Sequence, residues 1–296
     1  MGTFVIHSHF RLHEWIAEEK GYYASEGLVD YVLKKNDLGA GVSDPANMTP
    51  EGKKYGAYES YEAERDASVS CACHWTVNMA ASADHGTLWG ECYSVSPGAI
   101  MVPPESPITQ PEELAGVEVA VGYHSGSHYA TVQGLEPFMP RERIKLKFGG
   151  VPDERVDAAV DRKVAATNVF GMQLYVLEQL GFRKIVDTTF MIAAHIAKDA
   201  ALDDVRRYFR ALRRAQADID FMHQKYVHHY LKELPVRYHS MVDVRRFGPG
   251  ERIVFEPYTQ AVYDLTQEWV RERGFFENDR VGYSPYEKAV VSLSAV

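Results

Sequence analysis

Residues 15–28 read WIAEEKGYYASEGL, and this stretch decides the fold of the chain. Apolar side chains recur in it at helical spacing as far as Tyr23, and residues 26–28 are typical of a turn. Short apolar runs at residues 4–6 and 29–33 flank the stretch and predict β-strands. Strand, helix and strand in this order predict a parallel unit at the start of an α/β protein.

The same alternation continues along most of the chain. Further strands are predicted at residues 67–70, 93–102, 117–121, 144–148, 164–166 and 185–187, and helices at residues 58–65, 77–83, 151–161 and 174–180. A loop at residues 122–127 opens another predicted helix, which runs to about residue 138. From Asp203 onward the pattern is mostly helical. This order predicts a mainly parallel sheet covered on both faces, and such sheets bind ligands at the carboxyl ends of their strands.

Composition narrows the choice of partner and compartment. The 296 residues carry a net charge of -9, which argues against nucleic acid as a partner. No apolar run is long enough to span a bilayer, and no secretory signal follows Met1. Three cysteines, two of them nearly adjacent, do not suggest a disulfide framework. We therefore expect a cytoplasmic protein whose partner is a small molecule.

Three segments resemble the type II solute-binding proteins, closest to their aliphatic-sulfonate, nitrate and thiamine-pyrimidine branch. They are residues 15–28, residues 106–121 (SPITQPEELAGVEVAV) and residues 177–182 (LEQLGF), and their order and spacing carry the resemblance over most of the chain. The resemblance implies a periplasmic-binding-protein-like type II α/β fold, with two lobes joined by crossing hinge strands. Lobe one would comprise residues 1–100 plus 190–296, lobe two would comprise residues 101–189, and the ligand would lie in the cleft between them.

The resemblance leaves the activity open, because a fold does not fix a function. Most proteins of this kind are transport receptors. A minority are enzymes, such as the sulfinate desulfinase of fossil-sulfur metabolism, which works through a cleft cysteine. Another is the thiamine-pyrimidine synthase, which uses a histidine and carries a cysteine-rich motif.

Residues 70–75 read SCACHW and place two cysteines and a histidine where a predicted strand ends. Cys71 and Cys73 share one face if the strand continues. Cys73 lies beside His74 and near a helix N-terminus, which predicts a lowered thiol pKa and a role as nucleophile or acid. The alternative is that one or both cysteines are small apolar core residues, as we expect for Cys92.

Two histidines, His7 and His9, lie at the end of the first predicted strand. The period of a strand puts both on one face, where they could bind ligand, act as acid or base, or coordinate a metal. The alternative is that at least one of them is a structural histidine.

A strand-to-helix loop carries the second group of candidate ligand-binding residues: His124, Ser125, Gly126, Ser127 and His128. Backbone N–H groups at a helix N-terminus are free to bind an acidic group, which is also the role that the resemblance implies for this loop. The alternative is simple capping of the helix by a serine. After the next strand, Asn168 could supply a hydrogen bond to the ligand and Phe170 could form a wall of the site, unless Phe170 is ordinary core.

No cofactor is expected from the sequence. A zinc, iron or copper site would need several of these residues to converge: His7, His9, Cys73, His74 and His124. Their spacing matches no metal motif. A separate histidine group, residues 223, 228 and 229, lies on polar helices and is expected to be solvated.

Together these features favour a cytoplasmic lyase or hydrolase that cleaves a C–S, C–N or C–C bond of a small anionic or heteroaromatic substrate. Its catalytic candidates are Cys73, His74, His9 and Cys71. One alternative is the substrate-binding protein of an ABC importer, which would deliver its ligand to a permease. Another is a cytoplasmic sensor that only binds.

Overall fold

The computed structural model describes residues 2–35, 57–63, 65–276, 282 and 284–292. In this part of the chain the strands are β1 (Phe4–His7), β2 (Tyr31–Lys34), β3 (Val69–Cys73), β4 (Thr87–Trp89), β5 (Tyr93–Ser96), β6 (Gly98–Val102), β7 (Glu118–Val121), β8 (Lys145–Phe148), β9 (Ala166–Phe170), β10 (Arg183–Asp187), β11 (Phe190–Ile196), β12 (Arg252–Val254) and β13 (Val290–Val291). The α-helices are α1 (His13–Glu19), α2 (Tyr22–Ser25), α3 (Ala57–Glu62), α4 (His74–Ser82), α5 (Gly126–Leu135), α6 (Pro152–Val160), α7 (Met172–Gln179), α8 (Leu202–Met222), α9 (Gln260–Glu272) and α10 (Tyr286–Ala289).

These strands form two sheets. The first has the order β12-β5-β11-β3-β1-β2, with β4 paired to β11 and to β13, and the second has the order β10-β6-β9-β7-β8. β1 runs parallel to β2 and β3, and β7 runs parallel to β8 and β9. β11 runs antiparallel to β3 and β5, and β6 runs antiparallel to β9 and β10. The sheets are therefore mixed, and the prediction of mainly parallel pairing is wrong, because strands that cross between the sheets run back against their neighbours.

The chain passes from one sheet to the other at two adjacent points. Pro97 separates β5 from β6, and Thr188 follows β10 just before β11 begins. The amide of Thr188 donates to the carbonyl oxygen of Gly98 (2.9 Å). A Cβ on Gly98 would lie only 2.9 Å from the carbonyl oxygen of Thr188, so no other residue fits without a shift. The predicted two-lobed α/β fold with crossing strands is confirmed, whereas the predicted lobe boundaries stay predictions.

The long helix α8 covers one face of the first sheet. Its buried residues recur at helical spacing: Val205, Tyr208, Phe209, Leu212, Ala215 and Ile219. This face packs against α1 and α2, and the ring of Phe209 stacks on Trp89 with centroids 5.2 Å apart. Within the described residues, no helix combines the length and the apolar character needed to cross a bilayer.

Candidate functional site

The end of β3 meets the start of α5 where the two lobes face each other. A Cβ on Gly126 would lie 3.3 Å from the Cβ of Cys73 and 2.5 Å from the ring of Phe190. Thr76 Oγ1 donates to the carbonyl oxygen of His124 (3.1 Å). The turn from β3 into α4 and the loop from β7 into α5 are therefore in direct contact across the lobes.

The loop after β1 and the end of β9 complete this interlobe surface. Phe170 packs edge-on against Phe190, with ring centroids 5.4 Å apart. A Cβ on Gly171 would lie 4.0 Å from the carbonyl oxygen of Phe10 and 3.9 Å from Ser96 Oγ. Four chain segments that follow strands thus converge between the lobes, as expected for a sheet-based ligand site.

Serine hydroxyls hold the β7–α5 loop in shape. The amide of Gly122 donates to Ser127 Oγ (2.9 Å), and Ser125 Oγ donates to the carbonyl oxygen of Gly122 (2.5 Å). Ser125 is the N-cap residue of α5 but makes no side-chain capping bond, so the capping alternative does not describe its hydroxyl. Among the described residues, none accepts a hydrogen bond from the amide of Gly126 or Ser127. Those amides lie at the positive end of the helix dipole and are available to an anion.

A buried cation, Arg155, lies behind this loop, and the sequence analysis did not identify it as a candidate. Arg155 is 2% exposed, and its guanidinium donates to the carbonyl oxygens of Asn168 (3.0 Å) and Gly150 (2.8 Å). Its Nη2 has no hydrogen-bond partner among the described residues, and its observed hydrogen bonds go to carbonyl oxygens rather than to a carboxylate. Burial lowers the pKa of Arg155 to about 10, against the effect of Asp153 and Glu154, so the group stays charged at neutral pH.

The position of Arg155 puts this charge next to the carboxyl ends of two parallel strands, β7 and β8, and beside the middle of a third, β9. A Cβ on Gly122, the residue after β7, would lie 3.2 Å from Arg155 Nη1. Gly150 follows β8, and Asn168 is part of β9. The second lobe therefore presents a positive potential at the edge where α/β proteins bind their ligands.

His124 and His128 fix the β7–α5 loop to its surroundings. His124 Nδ1 lies 2.7 Å from Glu59 Oε1 in α3, which gives an ion-pair contact between the lobes when the imidazole is protonated. The amide of His124 donates to His128 Nδ1 (3.2 Å). Burial, with His124 and Arg141, lowers the pKa of His128 to about 3, so this imidazole is a neutral acceptor.

The cysteine cluster differs from its prediction in one essential property. Cys73 is 3% exposed, and its Sγ lies 3.1 Å from Thr76 Oγ1. Burial raises the pKa of Cys73 to about 12, although the hydroxyl of Thr76 and the amides of Thr76 and Trp75 act in the opposite direction. The predicted lowering of this pKa is wrong, because desolvation outweighs the effect of the helix N-terminus.

His74 is not placed to act on the neighbouring thiol. It is the first residue of α4, and its Nδ1 lies 3.3 Å from Tyr258 Oη and 3.2 Å from Thr266 Oγ1. Burial lowers its pKa, so the imidazole is neutral at pH 7. Cys71 contacts Arg11 Nη2 (3.6 Å) and, with Cys92, lines a small internal cavity. Burial raises the pKa of Cys71 to about 12.

A buried ionic cluster surrounds the start of α1, and sequence analysis missed it. Arg11 donates to Glu14 (2.6 and 2.9 Å) and also to Glu251, and Tyr208 Oη donates to Glu14 (2.7 Å). His9 Nδ1 donates to the other oxygen of Glu251 (2.6 Å). Burial alone would raise the pKa of Glu251, but Arg11 and His9 lower it well below its usual range. The sequence feature that could have revealed this cluster is residues 11–14 (RLHE), in which an arginine and a glutamate lie next to buried apolar residues.

β1 ends at His7, so the strand alternation that was predicted to put His7 and His9 on one face does not extend to His9. The pKa of His7 is lowered, first by burial and then by Arg65 and Lys34. The five predicted metal-binding residues therefore have separate surroundings. Among the described residues, three metal-binding side chains come together at Glu19, His228 and His229 instead.

The two candidates on β9 have different surroundings. Asn168 is fully buried, and its side-chain amide donates to the hydroxyls of Thr131 (2.9 Å) and Thr188 (3.0 Å). Its side-chain nitrogen is therefore engaged within the protein, while Oδ1 has no hydrogen-bond partner among the described residues. Phe170 lies at the interlobe surface against Phe190, where a wall of the site was predicted.

No protein-family model and no curated protein matches this sequence. Solved structures do. The alkanesulfonate-binding protein SsuA from Xanthomonas axonopodis pv. citri, bound to MOPS, is similar with a TM-score of 0.71 and 14% identity over 98% of both chains. The periplasmic aliphatic sulphonate binding protein SsuA from Escherichia coli has a TM-score of 0.65 and 16% identity, over 99% of this chain and 92% of that chain. The chain has the two-lobed fold of these binding proteins.

An enzyme has the same fold. The desulfurization enzyme DSZB is similar with a TM-score of 0.56 and 12% identity, over 98% of this chain and 96% of that chain. At such identities the likeness establishes the fold alone. The resemblance predicted from residues 15–28, 106–121 and 177–182 is thereby confirmed, and both binding proteins and an enzyme share this architecture.

Proposed function

We propose that the protein binds a small organic anion between its lobes, with the acidic group at the N-terminus of α5. The observation that carries this proposal is Arg155, a buried guanidinium without a carboxylate partner. It lies behind a loop whose Gly126 and Ser127 amides are free. A buried charge without a direct ion-pair partner is costly, and a bound anion would offset that cost. The sulfonate-binding proteins of the same fold support this class of ligand.

Aromatic residues at the interlobe surface favour an organic anion over an inorganic one. Phe190 packs against Phe170 and lies 6.1 Å from Trp75 between ring centroids. Small-molecule sites combine such apolar walls with a few placed polar groups. The expected ligand has one acidic group and a compact apolar or heteroaromatic body.

Calorimetric titration with matched pairs of ligands tests this proposal. We expect alkanesulfonates and arenesulfonates to bind, and their uncharged sulfonamides to bind at least tenfold more weakly. Native mass spectrometry of the purified protein provides an independent readout, because a tightly held anion would add a discrete mass. Equal affinity for the charged and uncharged member of each pair would contradict the proposal.

A second candidate function is catalytic, and the pair of His9 and Glu251 favours it. Glu251 orients the imidazole through Nδ1 (2.6 Å), and no described residue hydrogen-bonds to Nε2. An oriented imidazole of this kind can accept a proton from a water molecule and return it to a leaving group. In this candidate the protein is a cytoplasmic lyase or hydrolase, with His9 as acid and base. Cys73 keeps its proton at neutral pH, so this candidate assigns no nucleophilic role to it.

Turnover separates the two candidates. Incubation with sulfonates, sulfinates and nitrogen heterocycles, followed by mass spectrometry of the small molecules, would reveal a cleaved product if the protein is an enzyme. Activity that is lost in His9→Gln but kept in Cys73→Ser would support the catalytic candidate. Binding without any product supports a receptor for an ABC permease or a sensor.

A further inference from the structure

We propose that Glu19, His228 and His229 bind a divalent transition-metal ion such as Zn²⁺, at a site separate from the interlobe cleft. Glu19 is the last residue of α1, and both histidines belong to the 3-10 helix Val227–Lys232. Glu19 Oε2 lies 2.6 Å from His229 Nε2 and 3.6 Å from His228 Nε2. The three side chains are named here the Glu19 site.

The burial of His229 is the first argument for a ligand at the Glu19 site. This residue is 3% exposed, and neither nitrogen of its ring has a hydrogen-bond partner. The contact with Glu19 is short but lacks the alignment of a hydrogen bond. Buried polar atoms are nearly always satisfied in native proteins, so a buried imidazole whose nitrogens lack hydrogen bonds, one of them facing a carboxylate, points to a missing ligand. The sequence had predicted that this histidine is solvated, and burial contradicts that prediction.

The hydrogen bonding of His228 is the second argument. Its Nδ1 donates to the carbonyl oxygen of Lys225 (3.0 Å), which leaves the lone pair on Nε2, the nitrogen that faces Glu19. A backbone carbonyl that fixes the ring in this way is the usual support for a metal-binding histidine. The rings of His228 and His229 lie with centroids 4.2 Å apart, so both can face one ion.

The donor set fits zinc and its neighbours among the transition metals. Two imidazole nitrogens and one carboxylate oxygen are ligands that Zn²⁺ binds at about 2.0–2.2 Å, which places ligands of a tetrahedral ion roughly 3.3 Å apart. The observed separations of 2.6 and 3.6 Å lie on either side of this value. The side chain of Glu19 is 44% exposed and can adjust by the difference. The fourth position would be open to water.

Such an ion would tie the end of α1 to the 3-10 helix Val227–Lys232. Because the unfolded chain holds these ligands apart, binding of the ion would add to the stability of the first lobe. The site needs no ligand in the cleft, so its test is independent of the anion proposal.

Titration of the chelator-treated full-length protein with Zn²⁺ tests the Glu19 site. We expect one equivalent to bind and the melting temperature to rise with excess metal. Glu19→Gln and His228→Gln alter exposed residues, and each should weaken binding at least tenfold without unfolding the protein. His223→Gln, which changes a histidine outside the site, should leave affinity unchanged.

Cobalt spectroscopy provides the second readout, since the cleft also contains cysteines and histidines. Co²⁺ at the Glu19 site should give visible d–d absorption without the thiolate charge-transfer band that a cysteine ligand would add. Absence of saturable binding would overturn the proposal. Binding that survives Glu19→Gln and His228→Gln but is lost in Cys73→Ser would overturn it as well.

Discussion

The guanidinium of Arg155 donates to the backbone carbonyl oxygen of Asn168 (3.0 Å), so carbonyl groups rather than a carboxylate hold this buried charge. Carbonyl oxygens supply partial negative charge but do not neutralise a cation. The net positive charge remains at the strand ends of the second lobe, behind the free amides that begin α5. The buried charge of Arg155 and the free amides at the start of α5 together favour an anionic ligand, which is the class that we propose.

Substitution of Gly126 should block the interlobe site. A Cβ at this position would lie 2.5 Å from the ring of Phe190, so Gly126→Val must displace the ring or separate the lobes. We expect at least a tenfold loss of anion affinity by calorimetry, with far-ultraviolet circular dichroism unchanged. Adding Phe190→Leu to Gly126→Val should restore part of the affinity, because it removes the clashing ring. Unaltered affinity in the single variant would show that the ligand does not bind at this contact.

The thiol of Cys73 should be unreactive in the folded protein. Burial raises its pKa to about 12, so almost no thiolate exists at pH 7.5. We expect iodoacetamide to modify Cys73 no faster than the buried Cys92 in the native protein, and to modify both rapidly in urea. Peptide mass spectrometry over a time course gives the two rates. Preferential native labelling of Cys73 would restore the nucleophile hypothesis.

Buried histidines should make the stability depend on pH. Burial, assisted by Arg11, lowers the pKa of His13 to about 4 from 6.5, while in the unfolded chain the ring takes up a proton below about pH 6.5. The free energy of unfolding therefore carries no penalty from His13 above pH 6.5. It decreases as the pH falls from 6.5 toward 4, because the unfolded chain binds a proton that the folded chain does not. The free energy of unfolding, measured in urea, should be lower at pH 5 than at pH 7 by roughly 2 kcal/mol from His13 alone.

Two variants check the origin of this pH dependence. His13→Met removes one titrating group and should reduce the loss of stability between pH 7 and pH 5 by roughly 2 kcal/mol, while the other buried histidines keep their share. His239→Gln changes an exposed histidine and should leave the profile as it is. A wild-type free energy of unfolding that is equal at both pH values would refute the prediction.

The buried ionic cluster should contribute far more to stability than an exposed ion pair. Glu251→Gln leaves Arg11 and His9 short of a buried counter-charge, which typically costs about 3–5 kcal/mol. The matched control is Glu105→Gln, which breaks the exposed pair with Arg162 and should cost about 0–1 kcal/mol. Urea denaturation at pH 7 measures both. Similar values for the two variants would mean that burial does not set the strength of this cluster.

The sequence allowed the architecture to be predicted because the deciding patterns are local. Residues 15–28 combine helix, turn and strand signals within one unit, and residues 122–128 combine a strand end with a helix start. The single strand predicted over residues 93–102 is two strands, because Pro97 has no N–H for a ladder and marks the crossing between lobes. β11 was missed, since a short and mostly apolar run does not by itself distinguish strand from helix.

The chemistry of the site was harder to predict because it depends on distant contacts. Arg155 stands beside two acidic residues in sequence, which is typical of a solvated helix surface. The missed signal is its position on the same helical face as Pro152, Val156 and Ala159, all of which are buried. Glu251 lies 240 residues from Arg11, and no local pattern connects them.

Arg155→Met, compared with Arg143→Met, tests the account most directly. The first variant removes the buried cation and keeps an unbranched apolar side chain, while the second removes an exposed arginine of the same lobe. Calorimetric titration of both, with an alkanesulfonate and its uncharged sulfonamide, measures how much of the affinity depends on charge. We predict that Arg155→Met loses the preference for the anion, while Arg143→Met keeps it. A folded Arg155→Met protein that still prefers the sulfonate by the wild-type factor would contradict the account.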